Sequence, residues 1–186
     1  MKTLTFLTMA CLFTFATMQS QAQDLANFKT KKETKKEVKT ERKALRKLEG
    51  PKISNRSINN FSSDFGNISN VVWKRTNNFD EATFTKDGQK LTAYYDYDSN
   101  LVGTTSEKAF ADVPAKGQKE IKAKYKDFSI DQVIYFDDNE FNESDMLLWG
   151  SQFDDADNYF VVLNKAQNKL ILKVDMEGNV SFFKKL

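Results

Sequence analysis

Three apolar residues at helical spacing, Phe61, Phe65 and Ile68, are matched sixty residues later by Ile121, Tyr125 and Phe128. Such a stripe marks one face of a helix, and its recurrence marks a duplicated supersecondary unit. Short β-patterned segments broken by turn residues follow each stripe. After the first helix, expected over 57–69 with Ile58 in its stripe, they are 71–75, 82–86, 91–96 and an edge strand at 101–105. Asp87-Gly88 makes a hairpin turn between the second and third, because both residues accommodate positive φ. Pro114 opens a second helix over 114–125, where a missing N–H costs nothing, with Ile121 and Tyr125 buried. Strands then resume at 132–136, 146–152, 158–163, 169–174 and 180–183. The turn Asp96-Tyr97-Asp98-Ser99-Asn100-Leu101 is echoed by Asp175-Met176-Glu177-Gly178-Asn179-Val180. The expected fold is therefore α+β: two tandem helix-plus-antiparallel-meander repeats, about 57–110 and 111–186. Both helices pack on one face of the sheet, and the other face is free.

The chain begins with a leader. Lys2 precedes an uncharged apolar run from Leu4 to Met18, and Ser20-Gln21-Ala22 supplies small residues three and one before a cut. That pattern predicts a secretory signal peptide over 1–22, with cleavage near Ala22. The run is shorter than the roughly 20 residues a spanning helix needs. Cys11 lies inside it, without the upstream Leu of a lipoprotein signal, and leaves with the leader. The mature chain is periplasmic or secreted and cysteine-free, so its stability rests on its core instead of disulfides.

Charge divides what remains. Residues 23–56 carry 12 basic and 5 acidic side chains, whereas 57–186 carry 15 basic and 21 acidic. The basic stretch has four scattered apolar residues from Phe28 to Leu48, which form no continuous stripe, and it ends at Gly50-Pro51. It is expected to be a solvated tail or frayed helix.

Several chemistries are excluded. With no His anywhere, His-based triads and His-ligated zinc are absent. The glycines form no dinucleotide or phosphate-binding fingerprint. The spacing of Asp96, Asp98, Asn100 and Glu107 matches positions 1, 3, 5 and 12 of a calcium loop, but Leu101 replaces the required Gly and strands flank it. A turn capped by Asp side chains accounts for Asp96–Asn100. The acidic run from Asp131 to Asp157, with no Lys or Arg between Lys126 and Lys165, reads as two solvated hairpin tips. No cofactor is implied.

The segments Val71-Val72-Trp73-Lys74, Glu81 through Gly88, Ala93-Tyr94-Tyr95-Asp96, Leu101 through Thr105, Val113-Pro114, Tyr159 through Leu163 and Asp175-x-x-Gly178-Asn179-Val180 carry a resemblance. Together they resemble the β-lactamase-inhibitor-like, PepSY-like family of exported bacterial domains. The resemblance implies tandem helix-plus-sheet repeats and a protein- or ligand-binding role; it does not imply inhibition of any β-lactamase. Two departures stand out: Ser99 where the family has Gly, and an acidic insertion after Phe136.

These readings converge on an exported, non-enzymatic binding module with an open sheet face and acidic loops. Its partner is a protein or envelope ligand, not nucleic acid. The candidate contact residues are Trp149, Asp154, Asp155 and Tyr94, while Trp73 and Phe84 belong to the core. The competing readings are a Ca²⁺-stabilised structural envelope protein and, behind it, a hydrolase using paired carboxylates.

Overall fold

The structure is a computed structural model. It describes residues 50–166 and 168–186 and, before them, Glu37, Thr40, Glu41, Ala44 and Leu48. The chain divides into two units, 1–48 and 49–186. In the first, the five described residues are helical; the expected leader, its cut and Cys11 lie outside the described residues. No helix among the described residues is long and apolar enough to cross a membrane.

In the second unit, α1 (Asn55–Phe65) starts where Ser54 Oγ accepts the Arg56 backbone N–H at 3.2 Å. This satisfies a donor the first turn leaves unpaired. It is followed by a meander of β1 (Val72–Arg75), β2 (Asp80–Lys86), β3 (Gln89–Tyr95) and β4 (Leu101–Glu107). A 3₁₀ turn at Phe110–Asp112 leads to α2 (Ala115–Lys124), with Pro114 as its N-cap. Then come β5 (Ser129–Asp138), β6 (Met146–Leu148), β7 (Ser151–Phe153), β8 (Asn158–Lys165), β9 (Asn168–Asp175) and β10 (Val180–Lys185). Eight strands form one antiparallel sheet in the order β1-β2-β3-β4-β5-β8-β9-β10, while β6 and β7 pair only with each other. The duplication is thus α1-β1-β2-β3-β4 against α2-β5-β8-β9-β10, with the β6–β7 hairpin inserted after the second repeat's first strand.

Both helices lie on the same face. Ala93 pairs with Thr104, and Thr104 pairs in turn with Asp137. Asp137 shares strand parity with Val133, so residues beneath α1 and α2 point the same way. Under α1 lie Phe84, Ala82, Ala93 and Tyr95, joined by Phe61 and half-buried Trp73. Under α2 lie Val133, Val161, Leu163, Leu172 and Val174, joined by Ile121.

Three expectations need correction. β4 is no edge strand: it pairs with both β3 and β5, which welds the two repeats into one sheet and leaves β1 and β10 as the edges. The segment 146–152 is not one strand but a hairpin turning at Trp149 and Gly150, both at positive φ (49° and 73°). That is the backbone a two-residue hairpin loop requires. Finally, Ile58 is 39% exposed; α1 instead turns Ser57 inward beside Phe61. Ile68, beyond the helix end, still packs on the α1 core.

The repeats differ where helix meets turn. In the second, the β9–β10 turn lies so close to α2 that a Cβ on Gly178 would sit 3.0 Å from Gly117 N and from Lys116 Cβ. In the first, the equivalent residues are Ser57 and Ser99. Ser99 holds the same left-handed backbone (φ 63°), and its Oγ lies between the hydroxyls of Ser57 (2.9 Å) and Ser54 (3.1 Å). Ser57 also donates to the buried Asp80 carboxylate at 2.8 Å. Hydrogen bonds thus replace a glycine–glycine contact, which accounts for the departure at Ser99.

Candidate functional site

The face away from the helices is where the chain departs from a bare double meander. Four residues of the inserted hairpin, Met146, Leu147, Leu148 and Phe153, join Phe136, Phe160, Val162 and Ile171 of the sheet in a third core. Phe153 is 6% exposed. Its ring meets Phe160 at 4.8 Å, Phe136 at 5.1 Å and Phe183 at 5.9 Å, all edge to face. Such pairs contribute about 0.5–1.5 kcal/mol beyond their burial. The hairpin therefore covers the second repeat, and its core extends to Phe79 and Tyr94 at one end of the first. The free face is narrower than the sequence implies. What stays uncovered is Val72 and Lys74 on β1, Thr83 and Thr85 on β2, and Lys90 and Thr92 on β3. Register places these on one face. Thr83 and Thr92 share a hydroxyl–hydroxyl hydrogen bond at 3.0 Å, and Val72 is 67% exposed.

Of the predicted contact residues, Tyr94 does point away from the helices, whereas its neighbour Tyr95 is fully buried beneath α1. Tyr94 is nevertheless half-buried: its OH bonds Thr105 Oγ1 at 3.0 Å, and its ring meets Phe79 at 5.8 Å. Burial raises its pKa above the ordinary tyrosine value. Trp149 occupies the hairpin turn, half-buried, with its ring 5.8 Å from Phe160 and 6.3 Å from Phe183. Lys184 Nζ donates to its carbonyl. Tyr94 and Trp149 thus border one core, and Asp154 and Asp155 are exposed on the loop from β7 to β8. The two aromatics border opposite sides of that core, Tyr94 on β3 and Trp149 against β8 and β10; the two acids lie on the neck of the insertion.

That neck is an acidic cluster. Asp157 Oδ2 accepts from the Tyr135 hydroxyl at 2.8 Å, and its Oδ1 accepts from the Asp138 backbone N–H at 2.8 Å. Burial, a hydrogen bond with Asp155 and the charges of Asp155, Glu140 and Asp157 push the Asp138 carboxyl up to about 7. Asp138 Oδ1 is buried with no hydrogen-bond partner among the described residues. Burial and Asp157 raise Asp137 as well. The cluster was legible as charge but not as a junction, since only the strand order brings Asp138 and Asp157 together.

The calcium-like spacing is not a loop site. Asp96 Oδ1 accepts the backbone N–H groups of Asp98 (2.8 Å) and Asn100 (3.0 Å), which shapes the β3–β4 turn. Asp175 does the same for Asn179 at 2.7 Å in the second repeat. Glu107 lies at the far end of β4, six residues and roughly 20 Å of extended chain from Leu101. No group of three potential ligands able to hold a metal ion occurs among the described residues.

Known structures share this architecture. A DUF2874 family protein from Bacteroides uniformis superposes with a TM-score of 0.59 at 13% identity, covering 72% of this chain and 90% of its own. A BLIP-like protein from Bacteroides fragilis gives 0.56 at 15% identity, covering 73% and 87%. The fold is BLIP-like. A Bacteroides eggerthii protein described as periplasmic gives 0.59 at 14% identity, covering 72% and 89%. No protein-family model and no curated protein sequence matches the chain. At these identities the likeness is one of fold. It agrees with the β-lactamase-inhibitor-like half of the sequence resemblance.

Proposed function

We propose that this chain is an exported, non-enzymatic binding module of the envelope. In this reading its 1–22 leader is removed near Ala22, and PepSY-like domains are its distant kin. The observation that supports the reading best is the uneven cover of the BLIP-like sheet. An inserted hairpin seals one repeat, while the Thr83–Thr92 patch of the other stays open beside half-buried Tyr94. A sheet face carrying hydroxyls, two lysines and an exposed Val72 suits recognition of a partner's polar surface more than burial in a core. Trp149 at the hairpin turn supplies an amphipathic aromatic of the type that anchors interfaces. Asp154 and Asp155 supply charge at the rim. The description of one neighbouring protein as periplasmic accords with export.

The experiment is capture of a partner from an envelope extract with tagged protein, followed by affinity measurement on the purified pair. Trp149→Ala is expected to weaken binding by roughly 2 kcal/mol or more. Charge reversal at Asp154 and Asp155 should mainly slow association and change its dependence on salt. Turnover of a glycan or peptide that is abolished by one carboxylate-to-amide change, with binding intact, would overturn the reading in favour of a hydrolase.

A further inference from the structure

A second feature lies beside α1 and is independent of the open face. A cavity of about 310 Å³ opens between the C-terminal half of α1, the β3–β4 turn and the loop from β5 to β6. That is the small end of the range for ligand pockets, roughly 300–1,000 Å³. Asn60 and Asp64 line it from α1, Asn100 from the turn, and Asn139, Asn142 and Glu143 from the loop. No basic residue lines it, so an anion finds no counter-charge. Apart from Leu101, its one apolar contributor is Phe141, at 98% exposure the most exposed large hydrophobic residue of those described.

Phe141 contributes nothing to the fold, yet the chain around it is pinned. Asn139 Oδ1 accepts the Phe141 N–H at 3.4 Å, and Asn139 Nδ2 donates to the Leu101 carbonyl at 2.7 Å. Asn142 Nδ2 donates to the same carbonyl at 2.9 Å and to Asp96 Oδ2 at 3.2 Å. On the opposite wall, Asn60 Nδ2 donates to the Ser99 carbonyl at 2.6 Å, and Asp64 Oδ2 accepts from the Tyr95 hydroxyl at 2.8 Å. Both walls are therefore held before any ligand arrives, which lowers the ordering cost of binding.

The geometry points to a neutral saccharide as the ligand of this pocket. A carboxamide NH₂ carries two hydrogens; Asn60 and Asn139 each use one internally, and Asn100 makes no side-chain bond among the described residues. The walls thus offer donors as well as acceptors. A sugar's hydroxyls use both, donating to Asp64 and Asn60 Oδ1 while accepting from the amides. Its C–H face can lie on the Phe141 ring, where apolar contact and weak C–H interactions add up. An ammonium compound would gain from the ring and the carboxylates, but it only donates and would leave the amide donors unmatched.

The test is saturation-transfer NMR on the full chain with glucose, N-acetylglucosamine, maltose and N,N′-diacetylchitobiose, and with putrescine as the cationic control. At least one sugar is expected to receive saturation at its ring C–H protons. Phe141→Ala and Asn100→Ala should each weaken that sugar's binding by about tenfold or more, with an unchanged melting temperature because both residues are exposed. Absence of transfer to all four sugars would overturn the inference. So would transfer that survives both substitutions, or displacement of the sugar by putrescine at equal concentration.

Discussion

Phe153→Ala is the most informative perturbation of the fold, because it asks whether the inserted hairpin is a docked cover or a loose flap. Phe153 is 6% exposed and sits between three other phenylalanine rings. A buried phenylalanine removes about 150–250 Å² from water, worth about 4–6 kcal/mol at roughly 25 cal/mol per Å². Compactness of the unfolded chain trims such figures by about 10–40%, so about 2.5–5.5 kcal/mol is expected, which spans the range of about 3–5 kcal/mol for Phe→Ala in cores. The hairpin has only three residues per strand and no stability of its own. Losing this anchor should therefore free the hairpin before the sheet unfolds. Urea unfolding in a Trp73→Phe background isolates Trp149, which rides on the hairpin turn. The account expects its emission to shift to longer wavelength at a lower urea concentration than the loss of sheet circular dichroism. A cost below about 1 kcal/mol, the scale of a surface change, with unaltered Trp149 emission, would refute the docking argument.

Other consequences follow from the same geometry. Gly117→Ala should be strongly destabilising, since its Cβ would sit 2.7 Å from Val174 Cγ1; overpacking of this kind costs about 1–3 kcal/mol in chemical denaturation. Ser99→Gly should change stability little, relieving the left-handed backbone but losing the serine hydroxyl contacts, whereas Ser57→Ala should cost about 1–3 kcal/mol by leaving a bond to buried Asp80 unmade. Asp138, raised to about 7, binds a proton in the folded state that the unfolded chain has already released. Its contribution therefore holds below the ordinary carboxylate range and is lost as pH climbs toward 7. Urea midpoints should fall between pH 5 and pH 8, and Asp138→Asn should flatten that slope.

Much of this architecture was legible in the sequence because its signals are local. Helical spacing at Phe61 and Phe65, Asp87-Gly88 and the paired Asp96 and Asp175 turns each depend on a few neighbouring residues, and each is found where its pattern puts it. The placement of β4 was not legible, since the pairing of Thr104 with Asp137 depends on how the repeats join. The hairpin was hidden because Trp149 at positive φ is unusual for a bulky side chain, although the Gly that follows was a signal. The pocket escaped notice for a similar reason. Asn60, Asn100 and Asn142 are ordinary loop and helix residues until the fold gathers them, and an isolated exposed Phe141 leaves no periodicity. Tyr94 could be assigned to one of two faces only once Tyr95 was seen beneath α1.

The central claim is that the chain binds a partner through the uncovered face of its first repeat. Site-specific photo-crosslinking in the native envelope tests it most directly, with the photoreactive residue placed at Thr83 or Thr92 on that face and at Lys119 on the solvent side of α2. The account predicts one discrete adduct from Thr83 and Thr92 and none from Lys119. An adduct from Lys119 alone, or none from either face position while the protein is correctly exported, would contradict it.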